Sequence, residues 1–374
     1  MDFTLSDVQE DLRGLAERIL SEQVTRERLK ELEAGAEPVD RRVWAQLAEA
    51  NLLGLCLPEQ VGGSGYGIME ACVVLERIGA HVAPVPFLAT VVMAAMPIAE
   101  FGTAEQRERY LPPVVEGTTI LTAALQEPGN RDPLRPTTAA TRTATGWALS
   151  GEKVAVPYGT LADSILVTAS TAPGAVGVFV VDRHGEGVTL ERAEATNREP
   201  QAYLTLSGAP VAEDASLGDP AAGVEMVRWI YERTVAGLCA TAVGVFDEEL
   251  SITAGYISQR EQFGKPLATF QGATLKAADA YIDTEAIRVA SWSAIWRLSE
   301  GRPASEELAV AKFWVADGGQ RIAHACQHLH GGIGVDVDYP IHRYFLWAKA
   351  LELTLGGATE QLARLGTSFA GAAG

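Results

Sequence analysis

The amino-acid sequence predicts an α+β chain in which helices, then a block of short strands, then helices again follow one another. Three observations carry this. Apolar residues recur at helical spacing up to about residue 117. From about 118 to 217 the texture changes to β-branched or alternating runs separated by Gly, Pro and Asn. From about 218 to 374 long helical periods return with few breakers. The expected domains are therefore 1–117, 118–217 and 218–374, with an antiparallel sheet in the middle. No helix-length segment lies between the strands, which argues against a Rossmann sheet.

The elements follow from local chemistry. Ser6 followed by Gln9 is a capping-box signature, and Val8, Leu12, Leu15 and Ile19 behind it share one helical face. "DRRVWAQLAEANLLGL" and "GIMEACVVLERIGAHV" repeat the helical pattern on either side of the glycine-rich loop "PEQVGGSGYG". "EQRERYLPPVVEG" continues it. The strand block contains "GWALSGEKVAVPYG", "DSILVTAST", "VGVFVVDRHGEGVTLERA" and "AYLTLSGAPV". The last part opens on the long helix around "WIYERTVAG" and runs through "TFQGATLKAADAYIDTEAIRVASWSAIWRLSE" and "ASEELAVAKFWVADGGQRIAHACQHL".

Charge narrows the function. The net charge is −18, from 30 Lys and Arg against 48 Asp and Glu. Such a surface repels nucleic acid and anionic membranes, so neither is an expected partner. Four scattered cysteines without a CxxC pair suit buried free thiols in a reducing compartment. The opening "MDFTLSDVQEDL" places acids where a signal peptide needs positive charge, and no apolar run has transmembrane length. A soluble, cytoplasmic protein is expected.

Several stretches invite a chemical reading beside a structural one. In "REQFGKPLATFQ", Arg260 offers a fork to a pyrophosphate, Phe263 a plate to a planar ring and Gln271 amide hydrogen bonds. The same stretch also reads as a helix-to-helix turn around Gly264 and Pro266. "HLHGGIG" gives backbone that a ligand can approach closely, or simply a helix stop. His324 and His328 have metal-ligand spacing, but no acid accompanies them as in HExxH, and no metal is expected. Glu232 on its apolar helix suits a desolvated general base, or an ion pair with a solvated face. Gly356 and Gly357 stand where a helix is about to start, which permits a sharp turn or a close ligand approach.

Taken in order, "AALQEPG", "LSGEKVAV", "REQFGKPLATFQ", "HLHGGIGVDVDYPIHRYF" and "GGATEQLARLG" resemble the acyl-CoA dehydrogenase family over nearly the whole chain. The resemblance implies an N-terminal helical domain, a β domain and a C-terminal four-helix bundle. It implies FAD bound between the last two, with a neighbouring subunit completing the site. Arg260, Phe263 and Gln271 then look like the residues that reach the neighbour's flavin, and Gly331, Gly332 and Gly334 like the approach to its adenosine half. Thr359 and Gln361 match the Thr and Gln that contact FAD after the C-terminal turn. His328 stands where many relatives carry Gln, which alters that contact.

The catalytic base is a departure. Many relatives read Tyr-Glu-Gly-Thr before the last helix, and that Glu is the base. Here the tetrad is Gly356-Gly357-Ala358-Thr359, so Gly357 takes the base's place. A minority, similar to isovaleryl- and long-chain acyl-CoA dehydrogenases, places the base just before an Arg on the first long helix of the C-terminal domain. That position is Glu232, with Arg233 beside it at the substrate. Two further departures touch the flavin site. The family's Gly-Ala-Gly-Ser-Asp loop is reduced to Gly129-Asn130-Arg131-Asp132, and its Trp-Ile-Thr is replaced by Ala155-Val156-Pro157. Such asymmetry resembles the β-like subunits of actinobacterial α2β2 acyl-CoA dehydrogenases acting on steroid-derived thioesters.

The resemblance implies FAD-dependent α,β-dehydrogenation of an acyl-CoA, with electrons passed to an electron-transfer flavoprotein. The assembly would be a homotetramer or an α2β2 heterotetramer. One alternative is a non-catalytic β-type subunit that completes a partner's flavin site. A flavin oxygenase or oxidase on the same fold is another, with no residue that favours it.

Overall fold

The computed structural model describes residues 4–35 and 38–372. The first residues of the acidic N-terminal stretch and the last of the closing Gly-Ala-Ala-Gly lie outside them. Helices α1 (Asp7–Gln23), α2 (Arg26–Ala34), α3 (Arg41–Glu49) and α4 (Ile68–Ala80) come first. A π-helical stretch, Leu88–Ala95, leads into α5 (Met96–Phe101), and α6 (Ala104–Val115) closes the segment. The capping box at α1 forms as expected: Gln9 N donates to Ser6 Oγ at 3.3 Å and Ser6 N to Gln9 Oε1 at 3.0 Å. Thr103 and Gln106 build a second box at α6.

The buried face of α1 differs from the expected one. Val8 is exposed and Leu12, Leu15 and Ile19 are half-buried, while Ala16 and Leu20 are fully buried. The stripe is rotated by about one residue, because the packing seam depends on neighbouring helices and not on apolar spacing alone.

The strands are β1 (Leu121–Ala124), β2 (Ala139–Arg142), β3 (Gly146–Pro157), β4 (Ser164–Ala172), β5 (Ala175–Asp182), β6 (Val188–Glu194), β7 (Pro200–Ala212) and β8 (Ser216–Leu217). They form one sheet in the order β6-β7-β3-β2-β4-β5-β8, with β1 pairing with β4. Most neighbours are antiparallel, as the alternating runs suggest. The sheet is nevertheless mixed, because β1 and β2 each run parallel to β4. Neither connects to β4 by a tight hairpin, so the intervening chain is free to bring them in parallel.

The C-terminal part holds α7 (Val224–Gln259), α8 (Gln271–Ser299), α9 (Ser305–His330), α10 (Ile341–Leu353) and α11 (Ala358–Ala372). Between α7 and α8 lies a miniature hairpin of β9 (Glu261–Gln262) and β10 (Lys265–Pro266). The order of helices, strands and helices is the expected one.

Packing groups the chain into two compact units. One comprises the chain up to Glu31, Cys72–Ala83 and the chain from Val235; the other comprises Leu32–Ala71 and Pro84–Thr234. In the first, α4 and α7 approach so closely that a Cβ on Gly244 would lie 1.8 Å from the Glu76 carbonyl oxygen. Only glycine fits there. The second is built on the inward faces of the sheet, with Leu149, Val156, Ile165, Val178 and Leu204 buried.

Candidate active site

The loop after β1 is organised by a buried ion pair that sequence reasoning missed. Lys153 on β3 is fully buried and Glu127 nearly so, and Lys153 Nζ lies 2.8 Å from Glu127 Oε1. Thr137 donates to Glu127 from its N–H and its hydroxyl, Thr138 N donates at 2.9 Å and Asn130 Nδ2 at 2.9 Å. Lys153 also donates to Thr168 Oγ1 at 2.9 Å. Burial alone would raise the Glu127 pKa, but the Lys153 ammonium and these donors hold it well below the usual carboxylate range. For Lys153 burial dominates and lowers the pKa to about 8, against the pull of Glu127. The signal was present: strand alternation from buried Leu149 turns Lys153 inward, and an inward lysine needs an anion.

Next to this pair, the strand that would face a flavin ring is irregular. Register shifts between Lys153 and Val156, and Ala155 adopts φ 50° in the left-handed region. The loop is also braced across itself, since Asn130 donates to the Arg135 carbonyl at 2.9 Å.

Glu232 and Arg233 lie on α7, both half-buried. The Arg233 guanidinium packs 3.7 Å over the Trp229 ring, and Trp229 meets Phe101 edge-on at 5.4 Å. Burial lowers the Arg233 pKa to about 10, while the Glu232 and Glu100 carboxylates act against that. Glu232 is half-buried beside this cation, whose guanidinium lies against the aromatic pair.

The residues expected to serve a neighbour point away from their own chain. Phe263 sits at the tip of the β9–β10 hairpin with φ 53° and is 92% exposed. Arg260 and Gln271 flank the hairpin and are exposed. Gly331 ends α9 with φ 64°, and a Cβ on it or on Gly332 would meet nothing within 4 Å. Gly334 is buried instead, packed on the Gln327 side chain. His328 is exposed with Nδ1 2.7 Å from Lys276 Nζ, and His324 packs edge-on against Phe345. His330 is buried on Tyr256.

The turn before α11 explains its glycines. Leu355 and Gly356 both have positive φ, 57° and 98°, whereas Gly357 does not. Thr359 is exposed on the first turn of α11. Gln361 is only 1% exposed, and its amide donates to the Leu355 and Gly356 carbonyls at 3.1 and 3.2 Å. Its donors are therefore committed within the turn. Buried Lys312 supports the same turn from α9.

These groups suit a dinucleotide that arrives from outside the chain. The hairpin offers an exposed cation and an exposed aromatic plate, and the Gly331–Gly332 backbone is open. Comparison with known proteins decides the family. The family model for the acyl-CoA dehydrogenase N-terminal domain matches residues 6–118, and that for the C-terminal domain matches 222–367. The chain belongs to the acyl-CoA dehydrogenase family. It is thus one of the FAD-carrying oxidoreductases that act on CH–CH bonds.

Among relatives, it is 37% identical to acyl-CoA dehydrogenase FadE27 of Mycobacterium tuberculosis, over 99% of both chains. A solved variant of the steroid ACAD Tcur3481–Tcur3483 is 45% identical with TM-score 0.92, covering 99% of this chain and 100% of that one. The ChsE4–ChsE5 complex from Mycobacterium tuberculosis gives 37% identity and TM-score 0.93 over 99% of each chain. The resemblance to steroid-type family members is borne out. No helix among the described residues is long and apolar enough to cross a membrane.

Proposed function

We propose that this chain catalyses α,β-dehydrogenation of a bulky, steroid-derived or branched acyl-CoA in the cytoplasm, within a homotetramer or an α2β2 assembly, and that an electron-transfer flavoprotein takes the electrons. The observation that carries this is Glu232, a half-buried carboxylate beside Arg233 on α7, in a chain whose usual base position is Gly357. Its carboxylate takes the α-proton. Arg233 adds positive charge beside the base and steadies it before the proton arrives. FAD, when bound, supplies the acceptor for the hydride that leaves the β-carbon. Arg260, Phe263, Gln271 and the Gly331–Gly332 backbone would hold the FAD of a neighbouring subunit, and Thr359 that at the C-terminal turn. The steroid ACAD relative supports the substrate class, and the ChsE4–ChsE5 complex supports a heteromeric assembly.

A second reading has its own support: the Asn130 amide is committed within its own loop, to Glu127 and to the Arg135 carbonyl. On this reading the chain completes a partner's flavin site and does no chemistry itself. Anaerobic stopped-flow bleaching of the flavin by the thioester, in the complete assembly, separates the two. Glu232→Gln should nearly abolish bleaching with acyl-CoA binding largely kept, while Glu360→Gln should lose little, because Glu360 lies in the first turn of α11 where the helix dipole accounts for an acid. Full-speed bleaching in Glu232→Gln would place the base on another chain.

A further inference from the structure

The last carbonyls of a helix lack partners within it, and in a buried end they must find donors elsewhere. At the end of α10 the Gly356 N–H donates to Leu353 O at 3.2 Å, and two buried side chains supply further donors to Glu352 and to the turn that follows. Lys312 Nζ donates to Glu352 O and to Gly356 O, each at 3.0 Å. Gln361 Nε2 donates to Leu355 O at 3.1 Å and again to Gly356 O at 3.2 Å. Both side chains are essentially sealed from water, with Lys312 at 0% and Gln361 at 1% exposure. We infer that Lys312 and Gln361 are positioning residues: together they hold the left-handed Leu355–Gly356 turn in the shape that presents Thr359. This rests on the flavin contact proposed above for Thr359.

A lysine is a costly choice for a core. Lys312 forms no salt bridge among the described residues, and an apolar side chain of similar size would pack there without burying a charge. What the ammonium adds is directed donors at the negative end of a helix dipole. Those donors land on the last turn of α10 and on Gly356 in a turn where both Leu355 and Gly356 have positive φ, which is a strain for Leu355 and free for glycine. Thr359 follows three residues after Gly356, so the turn sets the direction in which α11 begins. Gln361, two residues beyond Thr359 and so on the opposite side of α11, ties the helix back to the Leu355 and Gly356 carbonyls. The site keeps this clamp although the turn carries Gly357 in place of a carboxylate.

A double-mutant cycle on the FAD dissociation constant tests this in the complete assembly, by equilibrium titration of the apoprotein. Lys312→Met should weaken FAD by about tenfold, the scale of a lost charge-assisted hydrogen bond. Thr359→Ala should weaken it too. In the Thr359→Ala background, Lys312→Met should add less than about twofold, because its effect runs through Thr359. If Lys312→Met does not assemble, Gln361→Met runs the same cycle without removing a buried charge. Full, independent weakening by Lys312→Met or Gln361→Met on top of Thr359→Ala would overturn the positioning role. An unchanged dissociation constant in both clamp variants would overturn it as well. Weakening in the clamp variants with none in Thr359→Ala would instead remove Thr359 as the contact, and with it the residue through which the clamp acts.

Discussion

The β-domain part of the proposed flavin site and the C-terminal part are built on opposite electrostatic plans. In the first, a charge pair is turned inward: Glu127 and Lys153 face each other, and threonine and asparagine donors complete the carboxylate. In the second, Arg260, Phe263 and the Gly331–Gly332 backbone face away from their own chain. The difference teaches how to read a shared site. A part that serves its own chain can satisfy its polar groups internally and become rigid. A part offered to another chain must leave its groups exposed until that chain arrives. Mutations in the first should therefore register as stability, and mutations in the second as ligand affinity.

The sharpest way to break this comparison is Lys153→Met. It leaves Glu127 buried without its cation, and removing one partner of a buried pair costs about 3–5 kcal/mol. Denaturant unfolding should show that loss. A change within the noise of the method would mean that the loop's threonine and asparagine donors suffice, and that the pair is not its anchor.

A buried acid without a cation supplies the control. Glu249 on α7 is fully buried, and neither carboxyl oxygen has a hydrogen-bond partner among the described residues. Burial raises its pKa to about 8 from an ordinary 4.5. The folded state thus keeps a proton that the unfolded state gives up. The stability this provides is complete below about pH 4.5 and falls as pH rises, at up to about 1.4 kcal/mol per unit, until the folded group ionises near 8. Between pH 6 and 8 the wild type should lose up to about 2.7 kcal/mol more than Glu249→Gln. Parallel stability–pH curves for the two proteins would show that Glu249 is solvated after all.

Arg260→Ala tests the exposed plan. It should weaken FAD in the assembly by about tenfold to hundredfold, as expected for a lost charge-assisted contact to a pyrophosphate. Because the side chain is exposed, the unfolding midpoint of the apoprotein should stay put. A lower midpoint with unchanged FAD affinity would reverse the roles of the two regions.

How much of this could be read from the sequence depends on the range of the forces involved. The capping box of Ser6 and Gln9 involves residues three apart, so it was legible, as was the succession of helices, strands and helices. The hairpin carrying Phe263 was legible as a turn, because Gly264 and Pro266 dictate it locally. The Glu127–Lys153 pair was not, since it joins residues far apart whose motifs look ordinary one at a time. The buried face of α1 and the burial of Glu249 were hidden for the same reason: neighbouring helices decide them. Gln361 marks the middle ground. Its family motif was visible, but its inward direction depends on a turn that only coordinates display.

The smallest effect belongs to the two glycines before α11. At Gly356, φ is 98°, and an added Cβ would lie 3.0 Å from Glu360 Cβ, so both backbone and space resist a side chain. Gly356→Ala should cost on the order of 1–3 kcal/mol, the range for a non-glycine residue held in sparse backbone space. At Gly357, φ is not positive, and a Cβ would meet only Glu360 Oε2 at 3.6 Å and Glu352 O at 3.8 Å. These are ordinary contacts. Gly357→Ala should therefore shift stability by less than about 0.5 kcal/mol, as for an unconstrained surface change. The pair of melting curves thus separates two adjacent glycines by cause: backbone geometry requires the first, whereas nothing in the fold demands the flexibility of the second, where the resemblance implies a base in many relatives. If Gly357→Ala destabilised as much as Gly356→Ala, the turn would need both residues bare, and the missing carboxylate would be a consequence of folding and not of a relocated base.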